Sequence, residues 1–61
     1  MDDQDYRGLI LTRRRRERVF IRLPDGRDLI VQLIETKGTR AVIRFEAPAD
    51  IKIFREELLS P

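Results

Sequence analysis

The 61-residue sequence contains no cysteine and no histidine. Without cysteine there is no disulfide, and without either residue the usual side-chain ligands of zinc, iron–sulfur clusters and haem are missing. No histidine is present to activate the few hydroxyl groups as nucleophiles, and so short a chain leaves little room for a water-excluding cleft between paired carboxylates. We therefore expect no cofactor, no metal site and no enzymatic activity.

Long apolar runs are also missing. No stretch of about 18 apolar residues indicates a membrane span, and no apolar segment follows a basic start as in a signal peptide. We therefore expect a cytoplasmic protein without a membrane partner. Chains of about 60 residues bury only a small core and usually need a disulfide, a metal or oligomerisation for stability. Of these three, oligomerisation remains.

The charges are unevenly distributed, although the net charge is only +2. Three aspartates lie within residues 1–5, whereas five arginines lie within residues 13–18. Eleven of the 13 basic residues are arginine. Because the guanidinium group pairs bidentately with phosphate and stacks on bases, this bias favours a nucleic-acid surface. The alternative is a solvated strand edge, whose charges deter aggregation.

From residue 9 onward, apolar and polar residues alternate with the period of two that is typical of β-strands. The predicted strands are residues 9–12, 19–23, 29–34, 40–45 and 51–55. Tight turns are predicted at residues 24–27 and 37–38, and one or two helical turns at residues 56–59. The apolar face of the three middle strands carries Val19, Ile21, Leu23, Leu29, Val31, Leu33, Ala41, Ile43 and Phe45.

The first predicted strand is poorly placed to pair within its own chain. It is separated from the second by the arginine-rich stretch, which has no Gly, Pro, Asn or Asp to specify a tight hairpin. A terminal strand of this kind can add to the sheet edge of a second protomer. We therefore predict an all-β fold, a small five-stranded sheet per protomer with a short C-terminal helix, in an intertwined, strand-exchanged homodimer.

The sequence resembles the carbon storage regulator family (CsrA, also called RsmA), small bacterial RNA-binding regulators of translation. Residues 9–59 cover the resemblance, and no single motif is specific but the ordered set is. The matching stretches are residues 9–14 in the opening strand, Glu17 after it, Lys37 and Gly38 in a turn, Ala47 and Pro48 in a loop, and residues 55–58 at the end of the fifth strand. This divides the chain into an acidic, flexible leader (residues 1–8) and a CsrA-like RNA-binding domain (residues 9–61).

The resemblance implies a homodimer in which the first strand of one protomer pairs with the fifth strand of the other. It also implies binding to GGA in single-stranded or hairpin-loop mRNA, which controls translation initiation or message stability. A sequestering small RNA or a protein antagonist could be further partners. The RNA-binding positions carried over by motif are Leu11, Thr12, Arg13 and Arg14 from one protomer, and Ala47, Pro48, Ile51, Ile53 and Arg55 from the other.

Each of these residues also has a simpler interpretation. Leu11, Ile51 and Ile53 could be plain core residues, and Arg55 could be half of a surface ion pair. However, pairing the first strand with the fifth would bring Arg13 or Arg14 towards Arg55. Such like charges repel each other unless an anion lies between them, and a phosphate is the natural candidate.

Several positions depart from the family pattern. Arg16 stands where glycine is usual and Arg15 where an apolar residue is common, so the family pattern does not determine the geometry of this turn. About four residues are added around Pro24, Glu46 replaces a small or amide residue, and Phe54 stands where histidine is common. A carboxylate at Glu46 should weaken RNA binding unless it points away from the site.

The acidic leader allows two interpretations. It could lie over the arginine cluster and compete with phosphate, or it could be a disordered tail. Two rival functions also remain: a protein-interaction module on the same dimeric scaffold with weak or no specific RNA binding, and a β-ribbon DNA binder.

Overall fold

The computed structural model describes residues 7–59, and its centre is a three-stranded antiparallel sheet. The strands are β1 (Arg18–Arg22), β2 (Asp28–Lys37) and β3 (Arg40–Glu46), and they pair in the order β1-β2-β3. All three are rich in Val, Ile, Leu and Phe, which suit a pleated and half-buried surface. They correspond to the second, third and fourth of the predicted strands.

Both predicted turns are confirmed. In the β1–β2 hairpin the backbone N–H of Leu23 donates to the carbonyl of Arg27 (2.7 Å), and the N–H of Gly26 donates to the carbonyl of Leu23 (2.9 Å). Gly26 has a φ of 94° and Gly38, between β2 and β3, a φ of 58°. Because side chains are strained at such angles, glycine is the residue that these turns require.

The register confirms the predicted apolar face. Val31 in the central strand lies opposite Val19 in β1 and Phe45 in β3. The alternation continues to the pair of Leu33 with Ile43, after which a bulge shifts the register. No residue within the described part of the chain is fully buried, and Phe45 is still 49% exposed on this face. One chain therefore builds an apolar sheet face without covering it.

The structure confirms three of the five predicted strands and leaves the other two segments outside the sheet of their own chain. Residues 9–12 and 51–55 lie outside the sheet and form no strand. The reason is that a strand is defined by its hydrogen-bonded neighbour, whereas the sequence pattern only reports a tendency to be extended. We call residues 7–14 the N-terminal arm and residues 51–55 the C-terminal arm.

The C-terminal arm ends in one turn of 3₁₀ helix at Glu56–Leu58, where a short helix was predicted. Within residues 7–59, no helix is long and apolar enough to cross a membrane. The predicted acidic leader lies for the most part outside the described residues, as do the last two residues of the chain.

Candidate nucleic-acid interface

The first group of predicted binding residues lies at the end of the N-terminal arm, where the arginine cluster of residues 13–18 begins. Leu11, Thr12, Arg13 and Arg14 are all exposed. The Nε of Arg13 donates to the carbonyl of Thr12 (2.8 Å), and its guanidinium lies 3.6 Å from the carboxylate of Glu17. Its side chain is thus held along the following turn, while the arm before it remains exposed.

Glu17 closes the turn that follows the arm. Its backbone N–H donates to the carbonyl of Arg14 (3.0 Å), and its carboxylate accepts a hydrogen bond from the backbone N–H of Arg14 (2.7 Å). This explains physically why an acidic residue is useful at this position. A glutamate can satisfy a backbone donor that the end of the arm would otherwise leave to water.

Arg16 adopts the backbone conformation that glycine would adopt. Its φ is 76°, the only positive φ of a non-glycine residue within the described part of the chain. Its N–H donates to the carbonyl of Leu33 (2.6 Å), and its carbonyl accepts from the Nε2 of Gln32 (2.9 Å). The turn therefore keeps a glycine-like geometry despite the arginine, at a cost in backbone strain.

The second group of predicted binding residues follows β3. Ala47, Pro48 and Ile51 are partly buried, and the N–H of Ile51 donates to the carbonyl of Pro48 (2.9 Å), which closes a tight loop. Beyond it, Ile53 is 47% exposed, and Arg55 is exposed with its guanidinium 3.9 Å from Glu57. The loop is thus closed by its own backbone hydrogen bond, whereas Ile53 and Arg55 in the C-terminal arm are exposed.

The structure of one chain does not join the two groups. Among residues 7–59, no hydrogen bond or ion pair connects positions 11–14 with positions 47–55. Each group is assembled by its own segment, so a site that used both would need either a movement of the arms or a second protomer.

Two arginines on the sheet form ion pairs that the arginines of the turn at residues 14–16 do not form within the described part of the chain. Arg22 pairs with Asp28 (2.5 Å) and Arg44 with Glu46 (2.5 Å). The hydrogen bond from Arg22 holds the pKa of Asp28 below its usual 3.8. In contrast, residues 14–16 are three consecutive arginines that form no ion pair with any acidic group among residues 7–59.

The carboxylate of Glu46 therefore stands beside the loop as half of an ion pair with Arg44. Its charge is compensated within β3, which reduces the repulsion that the sequence led us to expect for an approaching phosphate.

A groove of about 320 Å³ lies beside residues 14–16, which we call the arginine turn. It is lined by Arg13, Arg15, Leu33, Glu35 and Thr36. Two guanidinium groups, the carboxylate of Glu35 and a threonine hydroxyl make this a polar groove, open to solvent near the end of β2. Residues 7–59 contain no cluster of acidic side chains that could hold a metal ion.

Sequence reasoning missed one contact that reaches the candidate site. Arg27, in the β1–β2 turn, forms a bidentate pair with Asp50 in the loop after β3. The two residues are 23 positions apart, so no local pattern could have indicated it.

Comparison with protein families decides the relationship. Residues 9–61 match the family model described as "CsrA: Global regulator protein family". The chain belongs to the CsrA family. Membership in a family of regulators agrees with the expectation that the chain is not an enzyme.

Curated relatives support this assignment. The chain is 40% identical over 50 residues to a translational regulator CsrA of Thermotoga petrophila. The aligned region covers 82% of this chain and 55% of the relative. The chain is 36% identical over 50 residues to the proteins of the same name from Geobacter metallireducens and Treponema pallidum, covering 59% and 63% of them. The matched region thus spans little more than half of each relative. No solved structure gives a significant match.

Proposed function

We propose that this chain is a post-transcriptional regulator that binds GGA-containing single-stranded or hairpin-loop mRNA as a homodimer. Binding controls translation initiation or message stability. The relatives are named translational regulators, and the same role for this chain is supported by its arginine turn and by its two arms.

The observation that carries the proposal is the pair of exposed arms, each running to an arginine. Leu9 and Ile10 in the N-terminal arm are 80% and 98% exposed, and Ile53 and Phe54 in the C-terminal arm are about half exposed. Isolated apolar side chains on a surface are common, but extended apolar segments beside an uncovered sheet face are not. Burial of both arms against a second copy would cover these surfaces together.

Strand exchange would also assemble the binding site. Leu11, Thr12, Arg13 and Arg14 of one protomer would lie beside Arg55 and the rest of the second group in the other. The second group consists of Ala47, Pro48, Ile51, Ile53 and Arg55. Arginines from two protomers would then face one another, and an RNA phosphate between them would relieve the repulsion.

The backbone groups of the N-terminal arm and of the loop after β3 suit binding to unpaired bases. Sequence-specific recognition of RNA mostly targets unstacked bases, whose edges can be met by backbone groups as well as by side chains. An exposed arm and a proline-containing loop present such backbone groups. We expect the protein to act in the cytoplasm, where a sequestering small RNA or a protein antagonist could compete for the same surface.

The test is a titration of the purified protein against a short RNA hairpin with GGA in its loop and against the same hairpin with CCA. We expect a strong preference for GGA and a stoichiometry of two sites per dimer. The logarithm of the affinity should fall linearly with the logarithm of the salt concentration, with a slope of about −0.7 per phosphate contacted. Equal and weak binding to both hairpins would overturn the proposal and favour a protein-interaction module on the same scaffold.

A further inference from the structure

The added residues of the β1–β2 turn contain a cluster of charges that reaches another part of the chain. The Nη1 and Nη2 atoms of Arg27 donate to the two carboxylate oxygens of Asp50, at 2.6 and 3.0 Å. The Nε of Arg27 donates to Asp25 (2.7 Å), whose other oxygen accepts from the backbone N–H of Arg27 (3.0 Å). Asp25 therefore holds the arginine in position from within the turn, and its terminal fork is directed at Asp50.

A second arginine–aspartate pair in the same hairpin provides an internal comparison. Arg22 and Asp28 face each other across β1 and β2, and Arg22 donates to both oxygens of Asp28, at 2.5 and 3.3 Å. This pair joins two strands that already form a ladder. The pair of Arg27 with Asp50 joins the hairpin to a loop that has no such ladder.

That loop carries predicted binding residues. Asp50 lies two residues after Pro48 and next to Ile51, whose N–H closes the loop onto the carbonyl of Pro48 (2.9 Å). A fixed Asp50 therefore restrains the backbone that presents Ala47 and Pro48. Since its guanidinium group donates to the carboxylates of Asp25 and Asp50, Arg27 itself is not available to bind a phosphate without giving up these contacts.

We propose that Arg27 is a positioning residue, which clamps the loop of Ala47 and Pro48 to the β1–β2 turn through Asp50 and thereby sharpens recognition of GGA in RNA. This role rests on the proposed function. A loop that is ordered before binding loses less conformational entropy when the RNA arrives, and this gain applies to the specific complex.

The charge state of the pair is compatible with this role. The hydrogen bond from Arg27 holds the pKa of Asp50 below its usual 3.8, so the carboxylate is ionised at neutral pH. An arginine is needed for the bidentate geometry, because a lysine provides a point charge without the planar fork.

The variant that separates a clamp from a simple charge effect is Asp50→Asn. Loss of a negative charge next to the site should tighten RNA binding if electrostatics alone acts. If the clamp acts, affinity for the GGA hairpin falls by about two- to tenfold, because a few groups of the released loop must then be ordered when the RNA binds. Asp28→Asn is the matched control, since it removes the same charge from the same kind of pair but leaves the loop clamped. We expect it to leave the GGA preference unchanged.

The readout is the ratio of the affinities for the GGA and CCA hairpins, measured at two salt concentrations. A merely destabilised protein loses affinity for both hairpins equally, whereas loss of the clamp lowers the ratio. We expect Arg27→Lys and Asp50→Asn to lower the ratio by similar factors, and the double variant to lower it no further than either one alone.

The two proposals fail in different ways. If the wild type prefers GGA and Asp50→Asn leaves the ratio unchanged or raises it, the clamp is overturned and the proposed function stands. Additive effects of Arg27→Lys and Asp50→Asn would also overturn the clamp, because they would show that the two residues act independently. If the wild type does not distinguish GGA from CCA, the proposed function fails, and the positioning role fails with it.

Discussion

The three-stranded sheet and the two arms have similar sequences but different structures. Both are rich in β-prone apolar residues, yet β1, β2 and β3 pair in a ladder, whereas residues 9–12 and 51–55 pair with nothing in the sheet. The difference is connectivity. Each neighbouring pair in the sheet is joined by a turn with a glycine at positive φ, whereas no glycine lies between either arm and the sheet.

Charge pairing divides the molecule in the same way. Three arginines of the hairpin and of β3 pair with Asp28, Asp50 or Glu46, whereas Arg18 and Arg40 form no ion pair among residues 7–59. Where the N-terminal arm meets the sheet, residues 14–16 have no such partner among residues 7–59. The hairpin and the end of β3 thus use three arginines in ion pairs, while among the described residues the arms leave apolar surface exposed and residues 14–16 leave positive charge exposed.

The strongest test of this division is Ile10→Asp in the N-terminal arm. Ile10 is 98% exposed in a single chain, so the substitution should be harmless there. In a strand-exchanged dimer it would place a carboxylate against the apolar arm and sheet of the partner. We expect the dimer dissociation constant to rise by about 100-fold or more, measured by analytical ultracentrifugation.

Thr39→Asp is the control for Ile10→Asp, since it adds the same charge in an exposed turn of the sheet. It should leave the dimer intact. A dimer that survived Ile10→Asp unchanged would show that the arm is not part of the interface.

The next largest effect is expected from Arg55→Ala at the end of the C-terminal arm. If Arg55 contacts RNA, affinity for the GGA hairpin should fall by about 30-fold, as for a central arginine of an interface. Arg40→Ala removes the same charge from β3 and should cost far less. The sedimentation of both variants should be that of the wild type, and a loss of the dimer in Arg55→Ala would instead make Arg55 a structural residue.

Much of the sheet could be predicted from the sequence, because it depends on local signals. The period of two gave the apolar face that pairs Val31 with Val19 and Phe45, and Gly26 and Gly38 marked turns that need a positive φ. The two arms are also rich in β-prone apolar residues. The missing turn residues predicted that the N-terminal arm would not pair within its own chain, but the pattern could not show the same for the C-terminal arm, because pairing depends on which edge is within reach.

The candidate site could be predicted in part. The sequence indicated Arg13 and Arg14 as a cluster and raised doubt about Arg16 and Glu46. It could not show that Arg16 keeps the glycine-like φ or that Arg44 compensates Glu46, since both depend on the pairing of strands and on side-chain conformation. The clamp of Arg27 on Asp50 lies beyond any local pattern.

A smaller effect is expected where the arm meets the sheet. Arg16→Gly should raise the free energy of unfolding by about 0.5–1 kcal/mol. Glycine adopts a φ of 76° without strain, and this gain exceeds the larger conformational entropy that glycine loses on folding. Arg15→Gly removes the same charge from a residue without a positive φ and should lower stability by a similar amount. Urea unfolding of both variants would measure this, and equal effects of the two would contradict strain at Arg16.

The smallest effect is expected from pH, and it concerns the paired charges of the sheet. The pKa of Asp28 and that of Asp50 are both lowered by a hydrogen bond from an arginine. Each pair therefore stabilises the fold fully above the unfolded pKa of about 3.9, and this stabilisation is lost as the pH falls through the lowered pKa of the folded state. Between pH 7 and about pH 5 these pairs should contribute no pH dependence.

Carboxyl NMR titration of the wild type would measure both aspartates directly, and urea midpoints below about pH 4 would show the linked loss of stability. Asp28→Asn should make the acid-induced decline shallower while leaving the titration of Asp50 in place, because the two pairs share no side chain. If Asp28 instead titrated at or above 3.8, its pair with Arg22 would not persist in solution, and the contrast between the paired arginines of the hairpin and the arginines of residues 14–16 would be weaker than the structure indicates.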